Sequence, residues 1–304
     1  MNISDLNDLN KKFSINTNQH LNFKSGEGGI PLVEIENEFA TAVISLQGAH
    51  VLSWIPKGEE DVIWLSADAT FAMGKSVRGG VPICWPWFGT HESETHFPAH
   101  GFARTVLWTV KQTQALENGE TQILFQLDTS ELNEKLQMMW PQATLAMYTI
   151  TIGKALTLEL VTSNKSDEPL TLGQALHTYF NVSDIEQTTV TGLEDKDYLD
   201  KTTGFERKTQ AGLITIKQEV DQVYLQTADD VVINDVKRKI QIKKEGSLST
   251  VVWNPWQEVA DKMGDLGKEG YRHMLCVESA NAAEDIITIA PGESHTLRVN
   301  YTIN

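Results

Sequence analysis

Cysteine, arginine and long hydrophobic runs are all scarce in this 304-residue chain. Two cysteines, Cys84 and Cys276, are too few for a disulfide framework, so free thiols in a reducing cytoplasm are expected. No apolar run approaches the roughly eighteen residues that a membrane-spanning helix needs. The opening segment MNISDLNDLNKKF is polar and lacks the apolar stretch of a secretory signal. Basic charge is short as well: 25 Lys and Arg stand against 41 Asp and Glu, a net charge of −16. That balance argues against nucleic acid and anionic membranes as partners. It would also repel an anionic substrate at long range, so any phosphate site has to be built from specific local cations. There is no alternation of strand and helix patterns, no internal repeat, no low-complexity tract and no long linker, which speaks against a parallel α/β fold.

What is present is a succession of short β-type runs after Lys24. FATAVISLQGAHVLSWI places Ile44, Leu46, Leu52 and Trp54 on one parity, the period-2 signal of a half-buried strand pair. In LAMYTITIGKALTLELVT, Tyr148, Ile150 and Ile152 share one parity and Leu156, Leu158 and Leu160 another, with Gly153-Lys154 between them as a two-residue turn. IITIAPGESHTLRVNYTI reads as a final hairpin around Pro291-Gly292. Further strands are expected near 62–65, 121–127, 170–182, 188–192, 231–242 and 249–253. Helices are expected at 129–140, opening at a Ser/Thr cap, and at about 257–266. With 40% hydrophobic residues the chain can bury a large core. The expectation is an all-β protein: residues 1–24 form an arm or short helix, and 25–304 form one large antiparallel β-sandwich.

One stretch fits no regular element. SVRGGVPICWPWFGTHESETHFPAHGFAR, from Ser76 to Arg104, mixes Pro82, Pro86 and Pro98 with Gly79-Gly80, Gly101 and several aromatics. Prolines cannot donate to a ladder and glycines permit positive φ, so an ordered irregular loop is expected, packed by Trp85, Trp87 and Phe88. Two of the chain's six arginines, Arg78 and Arg104, flank it. Arginine is the better bidentate ligand for phosphate or carboxylate, although a structural salt bridge would explain either one. The spacing of His91, His96 and His100 fits no strong zinc pattern, so no metal is expected. His100, between Pro98 and Gly101, suits a hydrogen-bonding role, while His91 and His96 are expected in solvent.

Elsewhere, LGQALHTYFNV points His177 and Tyr179 away from Leu172, Leu176 and Phe180. HMLCVESAN places Glu278 at the end of an otherwise apolar strand, where a carboxylate is costly unless paired or used. Asp221 in EVDQVYL could bind a hydroxyl. Trp253 and Trp256 in VVWNPW could stack on a sugar or fill the core. A strand histidine, a strand glutamate, an aspartate, a basic loop and aromatics suit carbohydrate recognition with acid/base chemistry. No Ser or Cys sits in a nucleophile elbow.

VRGGVPICWPWFG, PAHGFAR, ALHTYFNV, VVWNPW and CVESAN, in that order, resemble the bacterial YeaD-type glucose-6-phosphate 1-epimerases, or hexose-6-phosphate mutarotases, of the aldose 1-epimerase superfamily. The resemblance runs from about Gln47 to Glu278 and beyond. It implies an antiparallel β-sandwich with an open active face, no metal and no organic cofactor, and interconversion of the α and β anomers of a hexose 6-phosphate. It assigns Glu278 as general base and His177 as general acid. Arg78 and Arg104 become phosphate ligands, and Asp221 and His100 contact hydroxyls, with Gln47 and Trp253 as further substrate-binding candidates. Ala99 departs from relatives that carry a polar residue there. The small-molecule sugar phosphate is the expected partner of a monomeric, cytoplasmic enzyme. A non-catalytic sugar-phosphate binder and a mutarotase of free sugars are the rival readings. The paired acid and base speak against the first, and the paired arginines against the second.

Overall fold

Alternation of apolar and polar residues sets the longest strands in this computed structural model, which describes residues 3–304. Thr144–Ile152 and Leu156–Asn164 each bury every second residue and pair antiparallel, with Leu156 opposite Ile152 and Asn164 opposite Thr144. The loop between them holds Gly153, Lys154 and Ala155, one residue more than expected, because Leu156 is the first residue back in register. These strands lie inside a nine-stranded antiparallel sheet that runs from Ile214–Thr215 at one edge to Thr109–Ala115 at the other. Five strands, from Ile15–Asn16 to His50–Pro56, form a second sheet in simple sequence order. A third sheet is centred on Ser249–Asn254 and Met274–Asn281. All three feed one apolar cluster, which includes Ile35 and Trp54, Tyr148 and Leu158, and Leu275 and Val277. Helix Ile3–Phe13 adds Leu6 and Phe13 to the same cluster. The architecture is the expected antiparallel β-sandwich.

Several expected elements differ in detail. Val43 pairs with Ser53 but Ile44 pairs with Val51, so Leu52 is the extra residue of a β-bulge. It leaves the side of Trp54 and joins a satellite cluster with Ile30 and Val77. Pro291-Gly292 makes a turn but not a hairpin. Ile287–Ile289 pairs with Leu170–Leu172, while Ser294–Ile303 pairs with Leu156–Asn164 and Lys239–Glu245. Residues 62–65 supply only isolated bridges, Ile63 to Phe180 and Leu65 to Gly79. The expected strand at 170–182 is three short ones, Leu170–Leu172, Gln174–Leu176 and Tyr179–Asn181, and that at 231–242 is Val231–Asn234 followed by Lys239–Glu245. Thr121–Asp128, Thr189–Thr191 and Ser249–Asn254 lie where expected. The 129–140 helix begins only at Glu134, capped by the Asn133 side chain, after a short turn over Thr129–Glu131. The later helix is Trp256–Met263, ending at Gly264 in the left-handed region.

The Ser76–Arg104 stretch is irregular apart from the two-residue strand Ile83–Cys84, which pairs with Gln174–Leu176, and its backbone is tied at several points. Gly80 N–H donates to Trp64 O, His100 N–H to Gly89 O, and both Phe102 and Ala103 N–H to Trp85 O. The indole N–H groups pin it from inside: Trp87 donates to Pro98 O, and Trp85 to the Thr162 hydroxyl of the nine-stranded sheet. Gly101, at φ 70°, lies so close to Trp85 that an added Cβ would collide with the Trp85 carbonyl. Gly101→Ala therefore combines a disfavoured φ with a backbone clash, and is expected to lower stability by about 2 kcal/mol or more. The check is the midpoint of urea unfolding; an unshifted midpoint would contradict it.

Candidate active site

Met274–Asn281 is buried along its whole length. Leu275 and Val277 point into the main core. Met274 and Cys276 on the other face meet Tyr179, Trp64 and the helix Trp256–Met263, which Asn254 anchors by accepting from Trp256 N–H and donating to Tyr271 O and Met274 O. Glu278 lies on that second face. It is not at the strand end, as expected, but three residues before it, and only 2% exposed. His177 sits in the break between two short strands, its backbone N–H held by Pro82 O at 3.1 Å. Its ring stacks on Tyr179, with centroids 5.0 Å apart and an interplanar angle of 12°, while Trp253 meets it edge-on. This orientation brings His177 Nε2 to 3.3 Å from Glu278 Oε1. His177 Nδ1 and Glu278 Oε2 are buried without a hydrogen-bond partner.

The pair lies in the wall of a cavity of about 290 Å³. Arg78, His100, Arg104, Asp221 and Trp253 line it too, so most of the candidates read from the sequence converge here. Arg78 is oriented from two sides: Nε donates to Asp265 at 3.0 Å and Nη1 to the Tyr179 hydroxyl at 3.1 Å. Arg104 Nη2 donates to Ala99 O at 2.9 Å, and among the described residues Arg104 has no carboxylate partner. Gly89 N–H donates to His100 Nδ1, which leaves the ring proton of His100 on Nε2. Asp221 is joined to Lys201, whose Nζ lies 2.6 Å from Oδ2.

A family model described as aldose 1-epimerase matches residues 31–302. The chain belongs to the aldose 1-epimerase family. It is 38% identical over 258 residues to an Escherichia coli protein named "Putative glucose-6-phosphate 1-epimerase", spanning 84% of each chain. A Cenchrus ciliaris protein of the same name is 38% identical over 267 residues, covering 85% of this chain and 80% of its own. Among solved structures, one titled as a putative mutarotase (YeaD) from Salmonella typhimurium superposes with a TM-score of 0.85 at 30% identity, over 98% of this chain and 99% of that one.

Some candidates fall outside the cavity of this aldose 1-epimerase. Gln47 is 2% exposed and does not line it. Its amide donates to Lys75 O at 2.7 Å and accepts from Gly74 N–H, so it shapes the turn that leads to Ser76 and Arg78. His96 is exposed, as expected, beside Glu94. His91 is not: it is half-buried, with its ring 4.9 Å from that of Trp87. Among the described residues no cluster of His, Cys, Asp and Glu could hold a metal ion. Ala99 contributes only its carbonyl, to Arg104. Conversely, Lys201 and Asp265 were not evident in the sequence. Neither stands in a motif, and Lys201 reaches Asp221 only because Asp197–Asp200 pairs with Val220–Leu225.

Burial dominates the electrostatics. It drives the Glu278 carboxyl well above its ordinary range and the His177 imidazole well below its own, so burial holds the resting pair without net charge. His100 is pushed down to about 3, by burial first and then by Arg104, Lys201 and Arg78. His50, which bonds Gly79 O beneath the loop, is pushed down to about 4, again mainly by burial. Both groups bind protons more weakly folded than unfolded. Their contribution to stability is therefore full above pH 6.5 and is lost as pH falls from 6.5 towards 4 and 3. NMR titration should find the His100 ring uncharged down to about pH 3. A midpoint near 6.5 would refute the buried, cation-flanked setting.

Proposed function

We propose that this chain interconverts the α and β anomers of hexose 6-phosphates, glucose 6-phosphate foremost. The observation that carries the reading is the 3.3 Å contact of His177 and Glu278 in the wall of a cavity that also holds two arginines. The hemiacetal O1 and ring O5 share C1, so one acid and one base standing side by side can serve both. In the productive form Glu278 is a carboxylate and His177 an imidazolium. Glu278 takes the O1 proton as His177 protonates O5; the C1–O5 bond breaks and C1=O1 forms. Rotation about C1–C2 presents the other carbonyl face. Ring closure returns the O5 proton to His177, and O1 regains a proton from Glu278. Ring opening leaves both residues neutral, the state that burial favours. The productive and resting forms of the free pair differ only in which partner holds one proton, so neither exposes a net charge to the apolar surroundings.

Arg78 and Arg104 would bind the phosphate dianion. Arg78 keeps Nη2 available while Asp265 and Tyr179 fix its other nitrogens, and Arg104 keeps Nε and Nη1. His100 would offer Nε2–H to a hydroxyl, and Trp253 an apolar edge to the ring. Gln47 would act from beneath, through the 72–75 turn. A protein that only bound the sugar phosphate would gain nothing from placing an acid and a base within hydrogen-bond reach of one hemiacetal. The two buried thiols, Cys84 and Cys276, suit a reducing cytoplasm.

Exchange NMR on glucose 6-phosphate tests the chemistry. Glu278→Gln and His177→Ala should each slow anomer exchange about a hundred- to ten-thousand-fold. Because Glu278→Gln removes a buried carboxyl with an unpartnered oxygen, its Tm should equal or exceed that of the wild type. A near-wild-type rate in either variant would sink the assignment. Arg104→Ala should raise KM for glucose 6-phosphate by about 10- to 100-fold, the weight of hydrogen bonds to a charged group. KM for free glucose should barely move, and an equal rise for both sugars would reject the phosphate role.

A further inference from the structure

Lys201 belongs to no recognised motif, yet it stands in the cavity wall with its ammonium committed to Asp221 at 2.6 Å. Its backbone is held firmly. Asp200 accepts from the Thr202 N–H at 3.0 Å and from its hydroxyl at 2.6 Å, and it pairs with Lys208 at 2.8 Å. Phe205 N–H returns to Asp200 O at 2.8 Å, and Gly204 closes the turn in the left-handed region. A long, flexible side chain is thus launched from a rigid point beside a carboxylate whose own strand, Val220–Leu225, is locked between two neighbours. The ammonium has two protons beyond the one given to Asp221, and the carboxylate has free lone pairs.

Resting on the anomerase reading above, we propose that Lys201 and Asp221 act as one donor–acceptor couple that reads two adjacent hydroxyls of the hexose ring. Lys201 donates to one hydroxyl oxygen and Asp221 accepts from the neighbouring hydroxyl. The couple carries no net charge, which fits neutral hydroxyls better than a phosphate. The phosphate has better-suited ligands in Arg104, which lacks a carboxylate partner, and in Arg78. A vicinal diol places two oxygens side by side, as a lysine and an aspartate in contact require. Lys201 is then a specificity residue for the ring, and the couple would favour aldoses whose two adjacent hydroxyls project to the same wall.

The test uses Lys201→Met and Asp221→Asn, assayed by exchange NMR on glucose 6-phosphate, free glucose and the 2-, 3- and 4-deoxy analogues of glucose 6-phosphate. Activity of the wild-type protein on glucose 6-phosphate is measured first; inactivity on both glucose 6-phosphate and glucose would overturn the anomerase reading, and this one with it. In an active wild type, Lys201→Met should raise KM about 10-fold, and by the same factor for glucose 6-phosphate and for glucose. One deoxy analogue should be handled equally by wild type and Lys201→Met, and a different analogue, lacking the adjacent hydroxyl, equally by wild type and Asp221→Asn. A Lys201→Met defect confined to the phosphorylated sugar would make Lys201 a third phosphate cation and overturn the proposal. So would a single analogue that silences both variants, since Lys201 would then merely hold Asp221 in place. Unchanged kinetics in Lys201→Met would overturn it outright.

Discussion

Holding a carboxyl and an imidazole together in a largely buried wall is the constraint around which the rest of this molecule is arranged. Glu278 and His177 are almost wholly buried, and isolated charges there would be costly. The structure meets that cost by keeping the two in contact, so that one proton can reside on either without a net charge appearing. Met274–Asn281 has to be buried on both faces to do this, one against the core and one against the cavity. The second face in turn needs cover, supplied by Trp64, Tyr179, Tyr271 and the helix Trp256–Met263.

The same layer that covers the strand orients the side chains of the candidate site. Tyr179 supports the His177 ring by stacking and accepts a hydrogen bond from Arg78. Arg78 is tied to Asp265, just beyond the helix that closes the cavity with Met263. Asp265, Arg78, Tyr179 and His177 thus form one short chain of contacts.

Much of this was legible in the sequence, and what was not has identifiable causes. Period-2 alternation marks a strand but not its partner, so Ser294–Ile303 looked like half of a hairpin although it pairs with strands far away in the chain. A single bulge at Leu52 reverses a face without altering the pattern of letters. His177, Glu278, Arg78 and Arg104 stood out because they lie in motif-bearing stretches. Gln47 stood out for the same reason, but its amide is used on backbone groups of the 72–75 turn. Lys201 and Asp265 were silent, because their importance depends on which strands and loops become neighbours. The His177–Tyr179 stack could be suspected from their shared parity, whereas the 3.3 Å approach to Glu278 could not.

The unpartnered His177 Nδ1 and Glu278 Oε2 have a consequence beyond the site itself. Among the described residues neither atom meets a protein hydrogen-bond partner, and the proposed proton exchange calls for no relay. In the proposed reaction every proton taken from the sugar at one oxygen is balanced by one given at the other, and ring closure restores the starting inventory. The pair would then be a closed proton exchanger, equally prepared for either anomer at the end of each passage. The direction of net conversion is left to the sugars alone.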